Sequence, residues 1–108
     1  MRIYIAGPVS NLPQFNIDAF RDAETKLIEM GHAPIVPHDL FVEQDLHPVE
    51  DYNLIMRQCL KEMLNCDAVV LLDSWRFSNG ARIEQQTAQA VGIKTYPIED
   101  FVNLKKAV

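Results

Sequence analysis

A serine and a glutamate six residues apart, Ser78 and Glu84, stand in the stretch DSWRFSNGARIEQQTAQAVG, residues 73–92. Ser78 is a good helix N-cap, and Asn79, Gly80 and Ala81 behind it would carry the free N–H groups of a helix start. Such a terminus offers an anion oriented donors and the positive end of the helix dipole, and Gly80 leaves room for one to approach. An ordinary serine cap has the same signature, so both readings stay open. Glu84 falls between Ile83 and Thr87, beside the stripe expected to be buried. It is either a surface glutamate or a carboxylate turned into a crevice. In the second case the helix N-terminus would keep it ionised. Partly desolvated, it would be a nucleophile toward an electrophilic sugar carbon.

Tyr4 could donate the hydrogen bond that orients such a carboxylate, or be a core tyrosine with a satisfied hydroxyl. Gly7 and Pro8, in AGPVSN, either bring the backbone close to a ligand or make a tight strand-to-helix turn. No G-x-G-x-x-G is present, which removes support for dinucleotide binding. His32, His38 and His47 do not fall at metal-ligand spacings. No metal site and no cofactor are expected.

These residues need elements to position them. RIYIAG (2–7) is a short strand stopped by Gly-Pro, and residues 9–15 read as a loop. A helix fits 17–30, with Asn16 as N-cap, Asp18 in the first turn and Phe15 and Phe20 placed as a hydrophobic staple. Phe20, Ala23, Leu27 and Met30 form its buried stripe, and Gly31 is its stop. APIVP (33–37) is a second strand, followed by a polar connection over 38–47. Helical periodicity returns over 48–65, with Tyr52, Ile55, Met56, Cys59, Leu60, Met63 and Leu64 on the apolar side. DAVVLLD (67–73) is the clearest strand, and its unbroken apolar core implies cover on both faces. The helix after Ser78 is expected to bury Ile83, Thr87, Ala90 and Val91 and to stop at Gly92. KTYPI (94–98) is a fourth strand, with a short helix after it.

Strand and helix thus alternate, with connections too long for hairpins. That is an α/β fold, a doubly wound parallel sheet of four to five strands, flavodoxin- or Rossmann-like. Ligands of such sheets lie beyond the carboxyl ends of the strands, at the switch point, where AGPVSNLP and DSWRFSNGARIE both arrive.

The 108 residues make one domain, 1–108, with no repeat or low-complexity run. Ten Lys and Arg against fifteen Asp and Glu give a formal charge of −5. No basic stripe suits polymeric nucleic acid, whereas a single phosphate needs only a few donors. The apolar run in MRIYIAG is too short for a targeting or membrane segment. Cys59 and Cys66, seven helical steps or roughly 10 Å apart, are beyond disulfide reach. Reduced thiols in the cytoplasm follow as the expectation.

IYIAGP, CDAVVLLD and GARIE…A…G, in this order and spacing from about Ile3 to Tyr96, resemble the nucleoside 2-deoxyribosyltransferase superfamily. That group also holds 2′-deoxynucleoside 5′-monophosphate N-glycosidases and short bacterial and phage relatives. The resemblance implies that Glu84 is the nucleophile and Tyr4 its tyrosine contact. Ser78 matches the phosphate-contacting serine of the monophosphate glycosidases, where the transferases tend to have aspartate. The implied substrate is a small molecule, a nucleoside 5′-monophosphate or nucleoside. The family usually has an aspartate eight residues before the strand-opening Asp67, and here Cys59 stands there. A thiol of ordinary pKa about 8.5 is a poor replacement for it, so Asp73 becomes the candidate to handle the leaving base in part. Trp75 and Phe77 are candidates to stack on the base, and Arg76 or Arg82 to supplement the phosphate site.

The expected activity is hydrolysis of the base–sugar bond through a glycosyl-Glu84 ester. The alternatives are deoxyribosyl transfer, or a non-catalytic nucleotide-binding or phage accessory protein of the same fold. Family members complete their crevice across a subunit interface, so a homodimer or higher oligomer is expected, with the helix carrying Cys59 as a candidate interface.

Overall fold

The computed structural model describes residues 1–10 and 12–104. Four strands, β1 (Arg2–Ala6), β2 (Ala33–Ile35), β3 (Ala68–Leu71) and β4 (Lys94–Pro97), form one sheet in the order β2-β1-β3-β4, every pairing parallel. Five helices accompany them: α1 (Ile17–Glu29), α2 (Pro37–Glu43), α3 (Tyr52–Leu64), α4 (Asn79–Ala90) and α5 (Ile98–Leu104). This is the doubly wound α/β architecture read from the sequence. The chain steps outward from β1 to β2, then returns past β1 to β3. The switch point therefore lies between the carboxyl ends of β1 and β3.

Alternation along β1 divides the core. Ile3 and Ile5 pack with Phe20, Ala23, Leu27, Val70 and Phe101, so α1 and α5 cover that face. Tyr4 and Ala6 pack with Phe41, Ile55, Cys59, Met63, Val69 and Ala88, so α2, α3 and α4 cover the other. Every residue of β3 is buried, as cover on both faces requires. Asp67 ties β3 to β1, accepting from the Arg2 N–H at 2.9 Å while its own N–H donates to the Arg2 carbonyl at 2.8 Å. Gly31 (φ 88°) and Gly92 (φ 83°) stop α1 and α4 in the left-handed conformation expected of a C′ glycine.

Three local expectations need correction. The connection over 38–47 contains α2, started by Pro37 with Asp39 in its first turn. Arg21 of α1 grips that turn through Asp39 at 2.7 Å. Second, Asn16 occupies the N-cap position of α1 without capping it. Gln14, Phe15 and Asn16 have φ of 51°, 54° and 61°, three consecutive left-handed residues, and the Asn16 side chain donates instead to the Pro8 carbonyl at 3.0 Å. Each such residue costs roughly 1–2 kcal/mol relative to the right-handed region, asparagine least. The Phe15 ring then meets His47 edge-on, and Phe20 meets His38. Third, α4 buries Ala81, Glu84 and Ala88 rather than Ile83, Thr87 and Ala90, and Val91 lies exposed. The small alanines let α4 sit close on the sheet, and that rotation turns Glu84 inward.

Candidate active site

Tyr4 sits mid-strand in β1 on the face covered by α3 and α4, and Glu84 comes from the second turn of α4. The Tyr4 hydroxyl donates to Glu84 Oε2. Tyr4 is 0% exposed and Glu84 5%, so the pair is shielded from bulk water. The thiol of Cys59, on α3, lies beside the same hydroxyl. Burial pushes the Glu84 carboxyl up to about 8, with the Tyr4 bond pulling the other way. The expectation that the helix start would keep it ionised is therefore corrected. Glu84 lies past the first turn, where the dipole fades, and desolvation outweighs it. Burial also pushes the Cys59 thiol up to about 12, reinforced by the nearby Glu84 carboxyl.

Glu84 forms part of the wall of a cavity of about 300 Å³ at the switch point. This is the low end of ligand-pocket volumes. Its walls are Gly7, Pro8, Val9 and Ser10 from the loop after β1, Pro37 and Phe41 of α2, Pro48, Tyr52, Ile55 and Met56 from the α3 region, and Phe77 to Ala81 leading into α4. Among these described residues none is lysine or arginine, and Glu84 is the one carboxyl. No three His, Cys, Asp or Glu side chains converge as metal ligands among the described residues. No helix among them is long and apolar enough to cross a membrane.

Ser78 is the N-cap of α4, its Oγ accepting from the Ala81 N–H at 3.2 Å. Ala81 is thus not a free donor, whereas the N–H groups of Asn79 and Gly80 precede any intrahelical acceptor, and both residues line the cavity. Both glycines have packing reasons. A Cβ on Gly7 would come 2.9 Å from Leu72 Cβ, at the close approach of the ends of β1 and β3. On Gly80 it would come 3.1 Å from Met56 Sδ and 3.3 Å from the Tyr52 hydroxyl, where α3 leans on the start of α4.

The structure thus gathers Tyr4, Gly7, Pro8, Phe77, Ser78, Asn79, Gly80, Ala81 and Glu84 at one place and leaves Asp73, Trp75, Arg76 and Arg82 outside the cavity wall. Asp73 is exposed and lines, with Leu72, Ser74 and Glu99, an adjoining depression that shares Pro8, Ser10 and Phe77 with the cavity. Trp75 packs against the core, and the Arg76 guanidinium lies 5.5 Å from its ring centroid. Arg82 is exposed and outside the cavity wall. Phe77 is the aromatic at the mouth, 92% exposed.

Sequence reasoning missed the contribution of α2 and of Tyr52 and Met56 to this wall. Helical periodicity placed the last two on the apolar side of α3, but nothing local says that α3 crosses the start of α4. It also missed His38, 4% exposed behind the cavity, whose Nε2–H donates to the Phe15 carbonyl at 2.6 Å. His38 Nδ1 and the Tyr52 hydroxyl are buried without hydrogen-bond partners. Such groups cost about 1–3 kcal/mol each.

Residues 1–96 match a family described as a domain of unknown function (DUF4406). No curated protein and no solved structure matches the chain.

Proposed function

The chain belongs to the DUF4406 family, and we propose that it is an N-glycosidase acting on the base–sugar bond of a nucleoside 5′-monophosphate in the cytoplasm. The observation that carries this is the buried Tyr4–Glu84 pair in the wall of a ligand-sized cavity. A carboxyl held by a tyrosine under an apolar core is costly for the fold and useful only to something that enters the cavity. Sequence resemblance to the 2-deoxyribosyltransferase superfamily, at Tyr4, Ser78 and Glu84 together, supports the same chemistry.

Glu84, once ionised, attacks C1′ of the sugar. The C1′–N bond breaks with its electron pair on the departing base, which takes a proton, and a glycosyl ester of Glu84 forms. Water then attacks C1′, loses a proton and frees the carboxylate. Tyr4 donates to one carboxylate oxygen and leaves the other for the sugar. The free N–H groups at the start of α4, with Ser78, receive the phosphate. Phe77 is placed to cover the base. With Cys59 holding its proton and no second carboxyl in the wall, the departing base draws its proton from solvent, which points to slow turnover with an alkaline optimum.

Free-base release from a panel of ribo- and deoxyribonucleoside monophosphates, followed by chromatography, tests the proposal. Release that ends in Glu84→Gln supports it, and no release from any of the panel removes it. A free acceptor base in the same assay separates transfer from hydrolysis. The raised carboxyl and Cys59 favour one second reading, a nucleotide-binding protein without turnover, for which tight binding with no released base would speak. A homo-oligomer belongs to the proposal, since the exposed Phe77, Val49 and Leu54 would gain cover from a second copy. Cys59 faces the core and cannot itself lie in that interface. Light scattering at micromolar concentration decides it.

A further inference from the structure

The left-handed run Gln14–Asn16 is the most strained backbone among the described residues, and it stands directly behind the cavity wall. Two side chains hold it. His38 Nε2–H donates to the Phe15 carbonyl at 2.6 Å, and Asn16 Nδ2 donates to the Pro8 carbonyl at 3.0 Å. Pro8, Val9 and Ser10 then form the side of the cavity that shares its wall with Glu84. The His38 ring lies 4.6 Å from the Phe20 ring and 5.1 Å from that of Phe41, a setting in which a phenylalanine would pack without an unpartnered Nδ1. A histidine there has one evident use, its single N–H donor.

We propose that His38 is a positioning residue for the cavity: its neutral imidazole pins the left-handed turn at Phe15 and, through Asn16, sets the place of the Pro8–Ser10 wall. The consequence for substrate affinity rests on the N-glycosidase reading; the consequence for the loop does not. Burial lowers the His38 pKa from its ordinary value. Of the charged neighbours, Arg21 on α1 acts in the same direction and Asp39, next in sequence on α2, opposes it. The imidazole is thus held in the form that leaves Nδ1 bare and Nε2–H on the carbonyl.

Amide hydrogen exchange tests this. The Phe15 N–H bonds to the Leu12 carbonyl at 3.0 Å and the Ile17 N–H to the Gln14 carbonyl, so both report opening of the turn. In His38→Phe, exchange at Phe15 and Ile17 should rise roughly tenfold, the loss of about one hydrogen bond, while β1 and β3 keep their protection. His38→Gln, which restores an N–H donor, should recover part of it. Unchanged exchange at both amides in a folded His38→Phe overturns the proposal. If that variant loses protection in β1 and β3 as well, Asn16→Ala decides: faster exchange at Phe15 and Ile17 supports the chain of contacts, and wild-type rates refute it. In parallel, base release from 2′-deoxyadenosine 5′-monophosphate should show KM raised about tenfold with kcat nearly constant. If the wild-type protein releases no base from any nucleotide, the N-glycosidase reading fails and exchange alone decides the role of His38.

Discussion

The two faces of β1 are built from the same strand by alternate residues, and they differ in kind. Ile3 and Ile5 pack in an apolar cluster with residues of α1, α5 and the sheet. One residue along, Tyr4 brings a hydroxyl to the opposite face, where Cys59 and Glu84 join it under α3 and α4. Leucine or phenylalanine would fill that space with no desolvated carboxyl. The first face is thus what a stable sheet requires, and the second carries something added at a cost to stability. The difference separates packing from chemistry within one strand.

The comparison breaks most sharply at Glu84. Glu84→Gln keeps the volume but removes the proposed nucleophile, so base release should fall by at least about a thousandfold; near wild-type release would reduce the polar face to an accident of packing. Next in size is the phosphate. Two charge-assisted bonds of ~1.5–3 kcal/mol each would favour a monophosphate over its nucleoside by roughly a hundredfold or more. Ser78→Asp keeps the cap while placing a negative charge beside the anion, and should erase that preference. Titration calorimetry with a nucleotide and its nucleoside measures it, and equal wild-type affinities would remove the phosphate site.

A smaller effect belongs to Tyr4→Phe. Loss of one hydrogen bond to a charged partner, ~1.5–3 kcal/mol, should lower kcat roughly ten- to a hundredfold. Because the Tyr4 bond holds the Glu84 pKa down, the acidic limb of the pH–rate profile, where Glu84 takes up its proton, should also move upward from about 8. A fall in rate with an unmoved limb would assign Tyr4 to packing alone.

The last prediction concerns stability. The folded Glu84 carboxyl titrates near 8, above its ordinary value near 4.3, so across that window the native state holds more proton than the unfolded chain. Its contribution therefore declines as pH rises from about 4.5 to 8. Urea midpoints of Glu84→Gln should gain on wild type between pH 5 and pH 9. Ile5→Val, on the dry face, should instead cost about 0.5–1.5 kcal/mol at both pH values and leave the limb in place.

Much of this was legible before any coordinates. The all-apolar run Ala68–Leu72 announced a central strand, and Ser78 with Glu84 six residues later pointed at the switch point. What escaped has physical reasons. Seven-residue α2 is too short for periodicity to stand out, and its signals were only Pro37 and Asp39. The face of α4 was misjudged because bulk suggested burial of Ile83 and Val91, whereas close approach to the sheet selected Ala81 and Ala88. Asp73 stands at the end of β3 and Trp75 two residues on, and the left-handed Ser74 (φ 65°) turns the chain between them, so neither faces the cavity that Ser78 and Glu84 share. The unusual turn at Gln14–Asn16 is held by His38, twenty-three positions from Phe15, and no local pattern could reveal it.

The Tyr4–Glu84 contact spans eighty positions, which has a consequence during synthesis. Within this stretch β1 is made before both of its neighbours, pairs with β2, and then waits with its other edge open until β3 is made. A nascent chain that stops short of α4 has β1, β2 and β3 but neither Glu84 nor the start of α4. A ligand of the proposed site could therefore not assist the early steps of folding. Parallel pairing of this kind is slow, and the waiting edge of β1 is a place where another chain can add. A ligand of the proposed site could add stability only from the moment the turn from β3 into α4 is in place.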